Sequence, residues 1–346
     1  MFNFKKLNLP IIQAPMAGGM NTPRLASEVA NSGGVGSFGF AYSTPQKIAE
    51  ELAETQKLTS GPINANFFVF QPVELPDLEI QNRALIDLKS LPIATGCEVL
   101  IPNAPFYPSL DEQLEPVWHH KPEILTFHFG IPKLQIIEKA HSLGIVVGIS
   151  ATSLYEANLI QKSGADFIVA QGVEAGGHRG IFNPSHHDDY LSTVDLTTVL
   201  SKQCSVPIVA AGGIMNGTDI QDVIKAGASA AQLGTAFLCC DEAGTSDAHK
   251  NFLLNKHQRG TVFTKAFSGR MARGIRNEFI DRIANSVVLP FPIQNSMTAS
   301  IRQLAAKNGD AEYQSLWAGT AYPKTRSLTA KNLMKALKQE LIASQM

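Results

Sequence analysis

The chain has 346 residues, and its 29 lysines and arginines nearly balance its 30 aspartates and glutamates, giving a formal net charge of −1. This balance disfavours a nucleic-acid backbone or an anionic membrane surface as the binding partner. Hydrophobic residues make up 44% of the chain and charged residues 17%, which excludes wholesale disorder and indicates a large core. Length alone allows either one elaborated barrel or two domains.

The first residues show no pattern of export or membrane anchoring. A short apolar run follows a basic pair, but Pro10 and Pro15 interrupt it and no small-residue cleavage site follows. No apolar run approaches the roughly 18 residues that a spanning helix needs. The four cysteines lack CxxC spacing and are interpreted as reduced thiols. They are Cys97, Cys204, Cys239 and Cys240. We therefore expect a soluble, cytoplasmic protein.

Short β-branched segments bounded by glycine and proline alternate with longer helical patterns. Strands that are apolar on both faces belong in a parallel sheet covered by helices, so the alternation predicts an α/β fold. Eight such units closing on themselves form a (β/α)₈ TIM barrel. The predicted strands are 11–14, 35–40, 63–69, 124–129, 145–149, 167–170, 207–211 and 230–234. The predicted helices include 23–32, 45–58, 132–142, 154–163 and 218–226, several of which begin with capping signals such as Thr-Pro.

Two segments exceed a minimal barrel. Residues from about 71 to 121 are rich in proline, leucine and charge, and we predict an insertion after the third strand that lies over one end. Residues 1–258 would then hold the barrel, and residues 259–346 a C-terminal cap or small second domain beside its mouth. Within this last segment the pattern predicts a basic helix over 268–282 and an amphipathic helix over 328–344.

Residues 34–39, GVGSFG, match the GxGxxG dinucleotide fingerprint. That fingerprint requires a strand, a glycine turn and then a helix whose N-terminus holds pyrophosphate. Here the glycines follow a predicted helix and lie within a predicted strand. We therefore interpret them as small residues at a closely packed barrel wall.

Residues 171–180, QGVEAGGHRG, come directly after the sixth predicted strand, on the barrel face where active sites are built. Consecutive glycines let a backbone approach a flat ligand closely, and His178 is placed to reach over that ligand. A solvated glycine-rich turn is the alternative. The crowding of Gln171, Glu174, His178 and Arg179 at one strand end favours a functional site.

Two further strand ends form a pair. The seventh predicted strand ends in AGGI, residues 211–214, and the eighth in QLGT, residues 232–235. Barrels commonly hold a phosphate between these two loops, with backbone N–H groups and a short helix N-terminus as donors. Two ordinary tight turns are the alternative, but the pairing predicts a phosphate site.

Asn64 and Asn66 lie two residues apart on the third predicted strand, so their side chains share a face. Amides on an inward face suit hydrogen bonding to a planar heterocycle, although a structural role fits either one equally well. His128, at the end of the fourth strand, points to the same mouth. A packed core histidine is the alternative there.

Other polar clusters are weaker indications of a functional site. Residues 186–189, HHDD, cannot all converge on one ion, and no further ligands have zinc-site spacing, so we predict a solvated loop and no metal. Arg270, Arg273 and Arg276 recur every third residue and predict one basic helix edge, which either attracts an anionic substrate or braces the cap. No Ser-His-Asp order or nucleophile elbow is present.

Taken together, these motifs resemble the nitronate monooxygenases, formerly called 2-nitropropane dioxygenases. The resemblance covers most of the chain, and the motifs occur in the family's order. It rests on QAPMAGG at 13–19, NANFF at 64–68, GVEAGGHRG at 172–180, AGGI at 211–214, QLGT at 232–235, SGRMARG at 268–274 and WAG at 317–319. One departure is Thr320, where the family pattern has glutamine.

The resemblance implies a metal-free barrel that binds FMN and oxidises alkyl nitronates with oxygen to a carbonyl compound and nitrite. It implies that His178 is the catalytic histidine and that Asn64, Gln171 and Gly176 contact the flavin. It also implies that the FMN phosphate is held by Gly213, Gln232, Leu233, Gly234 and Thr235. The implied partners are a small anionic substrate and oxygen, while the oligomeric state stays open.

Three other functions remain possible at this point. A flavin-dependent enoyl-acyl-carrier-protein reductase has a similar glycine-histidine loop, and an NAD(P)H:quinone reductase can use the same barrel. A non-catalytic flavin- or phosphate-binding barrel is the third, because a fold does not determine a function. A histidine beside the flavin face disfavours this last alternative, since simple storage has no use for it.

Overall fold

A computed structural model describes residues 3–255 and 259–345. Its strands are β1 (Ile11–Gln13), β2 (Gly36–Gly39), β3 (Ile63–Phe68), β4 (Ile124–His128), β5 (Val146–Ala151), β6 (Phe167–Gln171), β7 (Gly177–His178), β8 (Ile208–Ala211), β9 (Ala230–Leu233), β10 (Thr261–Thr264) and β11 (Ala272–Ile275). Its helices are α1 (Pro23–Asn31), α2 (Pro45–Leu58), α3 (Leu78–Lys89), α4 (Leu110–His120), α5 (Leu134–Ser142), α6 (Leu154–Lys162), α7 (Thr193–Gln203), α8 (Gly217–Lys225), α9 (Asp247–Leu254), α10 (Glu278–Ile283), α11 (Ile293–Met297), α12 (Ala299–Lys307) and α13 (Ala330–Ala343).

Eight parallel strands form the central sheet in the spatial order β1-β9-β8-β6-β5-β4-β3-β2. Its two edges meet where the N–H of Val35 donates to the carbonyl of Ile11 at 3.0 Å and the N–H of Gln13 donates to the carbonyl of Val35 at 2.9 Å. These contacts close the sheet, and the predicted TIM barrel is confirmed. All eight predicted strands, and the five predicted helices among them, begin and end within two residues of those observed.

The strands are mostly apolar because both of their faces are covered. Along β6, Phe167 and Val169 belong to a cluster with Ile12 and Val209, whereas Ile168 belongs to a larger cluster shared with the outer helices. This alternation follows the two-residue period of a strand and assigns the smaller cluster to the barrel interior. Phe4 joins the interior cluster, with its ring 5.1 Å from that of Phe167 in an edge-on arrangement.

Hydroxyl and amide caps begin the outer helices, as the sequence predicts. Thr22 accepts a hydrogen bond from the N–H of Leu25 at the start of α1, and Thr44 accepts one from Lys47 at the start of α2. Proline occupies the first turn of both helices, where its missing N–H costs nothing. These caps satisfy donors that a helix start leaves unpaired.

The GVGSFG segment has the predicted packing role. Gly36 lies in β2, and a Cβ atom added there would lie 2.1 Å from the carbonyl oxygen of Ala26 on α1. A Cβ atom added at Gly34 would likewise lie 2.7 Å from the carbonyl oxygen of Ile11. Only glycine allows such an approach between helix and barrel, and the segment is not a pyrophosphate-binding turn.

A cap covers the carboxyl ends of the barrel strands. Its apolar core joins α3 to the segment from α10 to α12, with Leu88, Phe267, Phe279 and Ile301 among its buried residues. Beside it, β10, β11 and β7 form a second, antiparallel sheet in that order. Because β7 belongs to the loop after β6, this sheet joins the cap to the barrel.

The two extra segments are each divided between cap and barrel. In the insertion, α3 lies in the cap, but α4 packs against α2 as the outer helix that precedes β4. At the C-terminus, α13 matches the helix predicted over 328–344 and returns to the barrel wall, where it packs against α1 and α8. The predicted boundary at residue 258 lies outside the described residues and stays a prediction. None of the described helices is long and apolar enough to cross a lipid bilayer.

The helix predicted over 268–282 is wrong. Residues 272–275 form β11, and α10 begins only at Glu278. The arginine spacing is therefore not a helix edge. Arg270 lies over the ring of Phe129, with its guanidinium carbon 3.8 Å from the ring centroid, and Arg276 is exposed and pairs with Asp281. The strand forms because β11 pairs on both sides, a tertiary effect that overrides the three-residue spacing.

Candidate active site

A cavity of about 310 Å³ lies at the carboxyl ends of the barrel strands, beneath the cap. This is the end at which TIM barrels carry their active sites. Seven residues predicted from the sequence line it together: Gln171, Gly176, His178, Gly213, Gln232, Gly234 and Thr235. They come from β6, the loop after it, and the turns after β8 and β9. The structure thus unites the glycine-histidine loop and the predicted phosphate turns around one space.

The turns after β8 and β9 carry uncommitted donors. The backbone N–H groups of Gly213, Gly234 and Thr235 make no hydrogen bond to any residue in the described ranges. Unpaired backbone donors at a cavity wall need a ligand or water as their acceptor. Clustered N–H groups of this kind form an anion site in many barrels. The residues present therefore fit a single phosphate group.

Glycine is required in this cradle. Gly212 and Gly213 have φ angles of +130° and +68°, which L side chains rarely adopt. A Cβ at Gly212 would lie 2.6 Å from Oγ1 of Thr193, and one at Gly176 would lie 2.5 Å from the backbone carbon of Ala318. The absence of side chains therefore lets three chain segments converge on the cavity without blocking it.

Residues 317–321 close over the cradle from the cap side. The N–H of Gly319 donates to Oγ1 of Thr235 at 3.0 Å, and the N–H of Thr320 donates to the carbonyl of Glu174 at 3.0 Å. The side chain of Thr320 is exposed, so the departure from the family's glutamine falls on the rim. Its backbone contact needs no particular side chain.

The backbone of His178 is fixed by three elements. His178 pairs with Ala272 of β11, and Nε2 of Gln171 donates to the carbonyl of His178 at 2.9 Å. A ring nitrogen of His128 lies 3.2 Å from the same carbonyl oxygen. Gln171 and His128 therefore line the cavity and also brace the histidine loop.

The ring of His178 sits in an aromatic environment. Four rings surround it with centroids 5.4 to 6.0 Å away: Phe68, Phe129, Phe291 and Trp317. Its polar contact is Oγ of Ser268, which lies 2.9 Å from Nε2. Low polarity around a single hydrogen bond favours the uncharged imidazole.

The electrostatic surroundings of His178 also favour its uncharged imidazole. Burial, together with the smaller effects of the nearby His128, Arg270 and Arg302, lowers the pKa of His178 to about 3. Burial likewise lowers the pKa of His128 to about 4. Both imidazoles are therefore neutral near pH 7, and His178 has a lone pair able to accept a proton.

Two predicted flavin contacts lie apart from the cavity wall. Asn64 is one layer deeper in the barrel, where it accepts from the hydroxyl of Thr126 at 2.9 Å and donates to Oγ of Ser37 at 3.2 Å. Asn66, two residues on, lines the cavity in its place. The side chain of Leu233 packs among the apolar residues between barrel and helices. Residues on one strand face occupy successive depths, and the sequence could not tell which one reaches the mouth.

Sequence reasoning missed the outer wall of the cavity. Tyr42, Asn295 and Arg302 line it, as do Phe68 and Trp317 from the histidine's aromatic surroundings. Tyr42 follows β2, and Asn295 and Arg302 belong to α11 and α12 of the cap. No motif connects such distant segments, so spacing alone offered no signal for them.

The HHDD loop is only partly solvated, which corrects the prediction for Asp188. Its two carboxylate oxygens accept from Nε and Nη2 of Arg179 at 2.7 and 2.8 Å, and the Arg179 side chain is 3% exposed. His187 is exposed, as predicted. In the described ranges, 3–255 and 259–345, no three histidine, cysteine or acidic side chains are grouped so as to hold a metal ion.

Comparison with known proteins agrees with this geometry. The profile of the family "Nitronate monooxygenase" matches residues 2–340. A nitronate monooxygenase of Paraburkholderia phytofirmans is 39% identical over 97% of this chain and 93% of its own length. One from Pseudomonas aeruginosa is 38% identical over 96% of each chain.

Solved structures show the same fold. The nitroalkane oxidase of Streptomyces ansochromogenes superposes with a TM-score of 0.92 at 35% identity, covering 99% of this chain and 98% of that one. FabK of Thermotoga maritima superposes with a TM-score of 0.75 at 23% identity, covering 99% and 95%, a likeness that supports the fold alone. On the profile match and the curated relatives, this chain belongs to the nitronate monooxygenase family and is an oxidoreductase of that type.

Proposed function

We propose that this enzyme binds FMN and uses oxygen to convert alkyl nitronates into carbonyl compounds and nitrite. The observation that carries the proposal is the shared cavity, in which unpaired backbone donors and a neutral His178 line one space. A small anion and a flat cofactor can meet there. The family, rather than the fold, favours this reaction over enoyl or quinone reduction.

The proposed phosphate contacts are the N–H groups of Gly213, Gly234 and Thr235, with Gln232 beside them. Gly176 allows close backbone approach, and Gln171 and Asn66 offer amides on the same wall. One phosphate cradle suits FMN rather than a dinucleotide. Bound FMN supplies the electron-accepting chemistry that amino-acid side chains lack.

His178 is proposed as the catalytic base for neutral nitroalkanes. Nε2 of the ring contacts Ser268, which leaves Nδ1 as the ring nitrogen with no partner among the described residues. A neutral imidazole at this point can take a proton from the carbon that bears the nitro group. A preformed nitronate has already lost that proton, and for it His178 contributes orientation and hydrogen bonding.

The aromatic wall keeps the reacting atoms in a medium of low polarity. Phe68, Phe291 and Trp317 pack around the ring of His178, and these apolar surroundings strengthen any charge interaction made there. The overall oxidation balances when two nitronate anions and one O₂ give two carbonyl molecules and two nitrite ions. The chain's own residues bind, orient and deprotonate the substrate.

Anaerobic mixing tests this function. The purified protein is mixed with an alkyl nitronate in one experiment and with NADPH in another, and the visible flavin absorbance is followed. We expect the nitronate to bleach the flavin and NADPH to leave it unchanged. Bleaching by NADPH alone would support a reductase instead, and the absence of any flavin after acid extraction would remove the cofactor assignment.

A further inference from the structure

Arg302 is a cation in the cavity wall without a counter-ion. It lies on α12, far in sequence from His178, and lines the same cavity. Burial lowers the pKa of Arg302, and the phenol of Tyr42 is the group that opposes this effect. No carboxylate of the described residues pairs with it. Arg302 is half-buried, and a guanidinium partly removed from water without a counter-charge is destabilised unless a ligand supplies that charge.

The guanidinium is held in place by neutral acceptors. Nη2 of Arg302 donates to the backbone carbonyl of Asn295 at 2.6 Å and to Oδ1 of Asn295 at 3.0 Å, while Nε lies 3.2 Å from Oγ1 of Thr298. The hydroxyl of Thr298 donates in turn to the carbonyl of Phe267 at 2.6 Å. Nη1 makes no hydrogen bond with any described residue. The group is thus orientated in advance and keeps donors available.

Arg179 and Arg270, which are more deeply buried than Arg302, are used differently. Arg179 is paired with both oxygens of Asp188, and Arg270 packs over Phe129 outside the cavity lining. Arg302 alone among these three lines the cavity. Its unpaired charge therefore faces the space that a substrate enters.

Tyr42 adds a second donor on the same wall. It lines the cavity and is 38% exposed, and its ring packs edge-on against Phe68 with centroids 5.7 Å apart. Partial removal of the ring from water raises the pKa of the Tyr42 phenol above its ordinary value, so the phenol keeps its proton. A phenol and a guanidinium on one wall together suit an anion with two oxygen acceptors.

We propose that Arg302 is a specificity-determining residue that binds the two-oxygen anionic end of the substrate, with Tyr42 as a second donor. This inference rests on the proposed function, because it assigns the nitronate's charge to one named partner. It makes the chain selective for small planar monoanions and against the neutral nitroalkane. Arg302 then determines how tightly the nitronate binds, while His178 accepts the proton from a neutral nitroalkane.

The test compares Arg302→Gln and Arg302→Lys with wild type and with Lys307→Gln. Lys307 lies on the same helix and is exposed, so its variant removes the same charge without touching the cavity. Steady-state kinetics are measured at low ionic strength with an alkyl nitronate and with its neutral nitroalkane. For Arg302→Gln we expect KM for the nitronate to rise roughly 10- to 100-fold, since charged hydrogen bonds are lost. We expect KM for the neutral form to change little.

A second measurement is independent of turnover. Sodium nitrate, a planar monoanion that is not oxidised, is titrated into resting protein by calorimetry. Wild type and Lys307→Gln should bind nitrate, Arg302→Lys should bind it more weakly, and Arg302→Gln should lose binding. Thermal unfolding of each variant shows whether it is folded, and Arg302→Lys keeps the charge if Arg302→Gln does not fold.

The outcomes separate the two proposals. Equal nitrate binding by wild type and Arg302→Gln, no binding by wild type, or equal KM changes for both substrate forms would overturn the role of Arg302. If nitrate binding depends on Arg302 but wild type oxidises no nitronate, the anion site stands and the proposed reaction falls. If wild type oxidises the nitronate but nitrate binding does not depend on Arg302, the proposed reaction stands and the anion site falls.

Discussion

Oγ of Ser268 lies 2.9 Å from Nε2 of His178, although the two residues are ninety positions apart in sequence. The same hydroxyl lies 3.0 Å from the carbonyl oxygen of Arg270, to which it donates. This arrangement favours a proton on Nε2 of His178 and a lone pair on Nδ1. A residue of the cap thus determines which nitrogen of the barrel's histidine can act as a base.

His178→Asn should keep the flavin but lose most turnover with neutral nitroalkanes. Asparagine still forms hydrogen bonds but cannot accept a proton near pH 7, so a loss of roughly 10²–10⁴-fold is expected for the neutral form. A preformed nitronate should lose less. Oxygen consumption and nitrite release with both substrate forms check this, with His187→Asn on the exposed loop as control. Equal losses on both forms would remove the base role.

Gly213→Asp should weaken FMN binding by well over tenfold, on the order of 2 kcal/mol, because a carboxylate replaces space meant for phosphate. Strain alone must be separated from charge, since Gly213 has a φ of +68°. Gly144→Asp provides that control, with a φ of +79° and no atoms near its Cβ position. Fluorescence titration of the apoprotein with FMN measures affinity, and circular dichroism verifies folding. Unchanged affinity in folded Gly213→Asp would mean that the phosphate binds elsewhere.

Asp188→Ala should destabilise the protein by about 3–5 kcal/mol, the usual cost of leaving a buried charge unpaired. Arg179 is 3% exposed and would lose both of its carboxylate contacts. Asp189→Ala is the matched control, because Asp189 is exposed and lies 3.6 Å from the exposed His187. Urea unfolding of both variants decides the matter. Similar stabilities for the two would show that the ion pair contributes nothing.

Acid should destabilise the protein through its buried histidines. Burial lowers the pKa of His249 to about 4, whereas the unfolded chain has a histidine pKa of about 6.5. Between these values the unfolded state binds more protons, so stability falls as pH falls, by about 1.4 kcal/mol per pH unit for each such histidine. His128 and His178 act in the same direction.

His249→Asn should therefore remove one histidine's contribution, about 1.4 kcal/mol per pH unit, from the slope of unfolding free energy against pH between pH 6 and 4.5. His249 is outside the cavity lining, and its buried Nε2 has no hydrogen-bond partner in the described ranges. Urea titrations at several pH values measure the slope. His187→Asn should leave the slope as it is in wild type, and an unchanged slope in His249→Asn would contradict the burial argument.

The barrel and the glycine turns after β8 and β9 could be predicted because they depend on local patterns. The strands are buried on both faces and therefore mostly apolar, and most outer helices begin with a cap such as Thr22 or Thr44. Gly213 and Gly234 could be assigned to one site because the topology of a barrel brings the ends of successive strands together. These relationships follow from the order of the strands in the chain and from the repeat lengths of helices and strands, about 3.6 and 2 residues.

The cap depends on contacts between distant segments, and local patterns misled there. The arginine spacing around Arg273 predicted a helix, but pairing with β7 and β10 makes that segment a strand. Asp188 was predicted to be solvated, yet it is half-buried and pairs with the buried Arg179. Asn66 rather than Asn64 reaches the cavity, because depth along a strand depends on how the barrel closes.

The amino-acid sequence by itself therefore determined the barrel, the glycine turns after β8 and β9, and the presence of His178 at the same cavity. The tertiary structure alone decided what surrounds that histidine: Ser268 at its ring nitrogen, an aromatic wall, and Arg302 facing the cavity without a counter-charge. The physical reason is that burial and electrostatic environment are properties of packing between segments far apart in the chain. Residue type and spacing do not encode them locally.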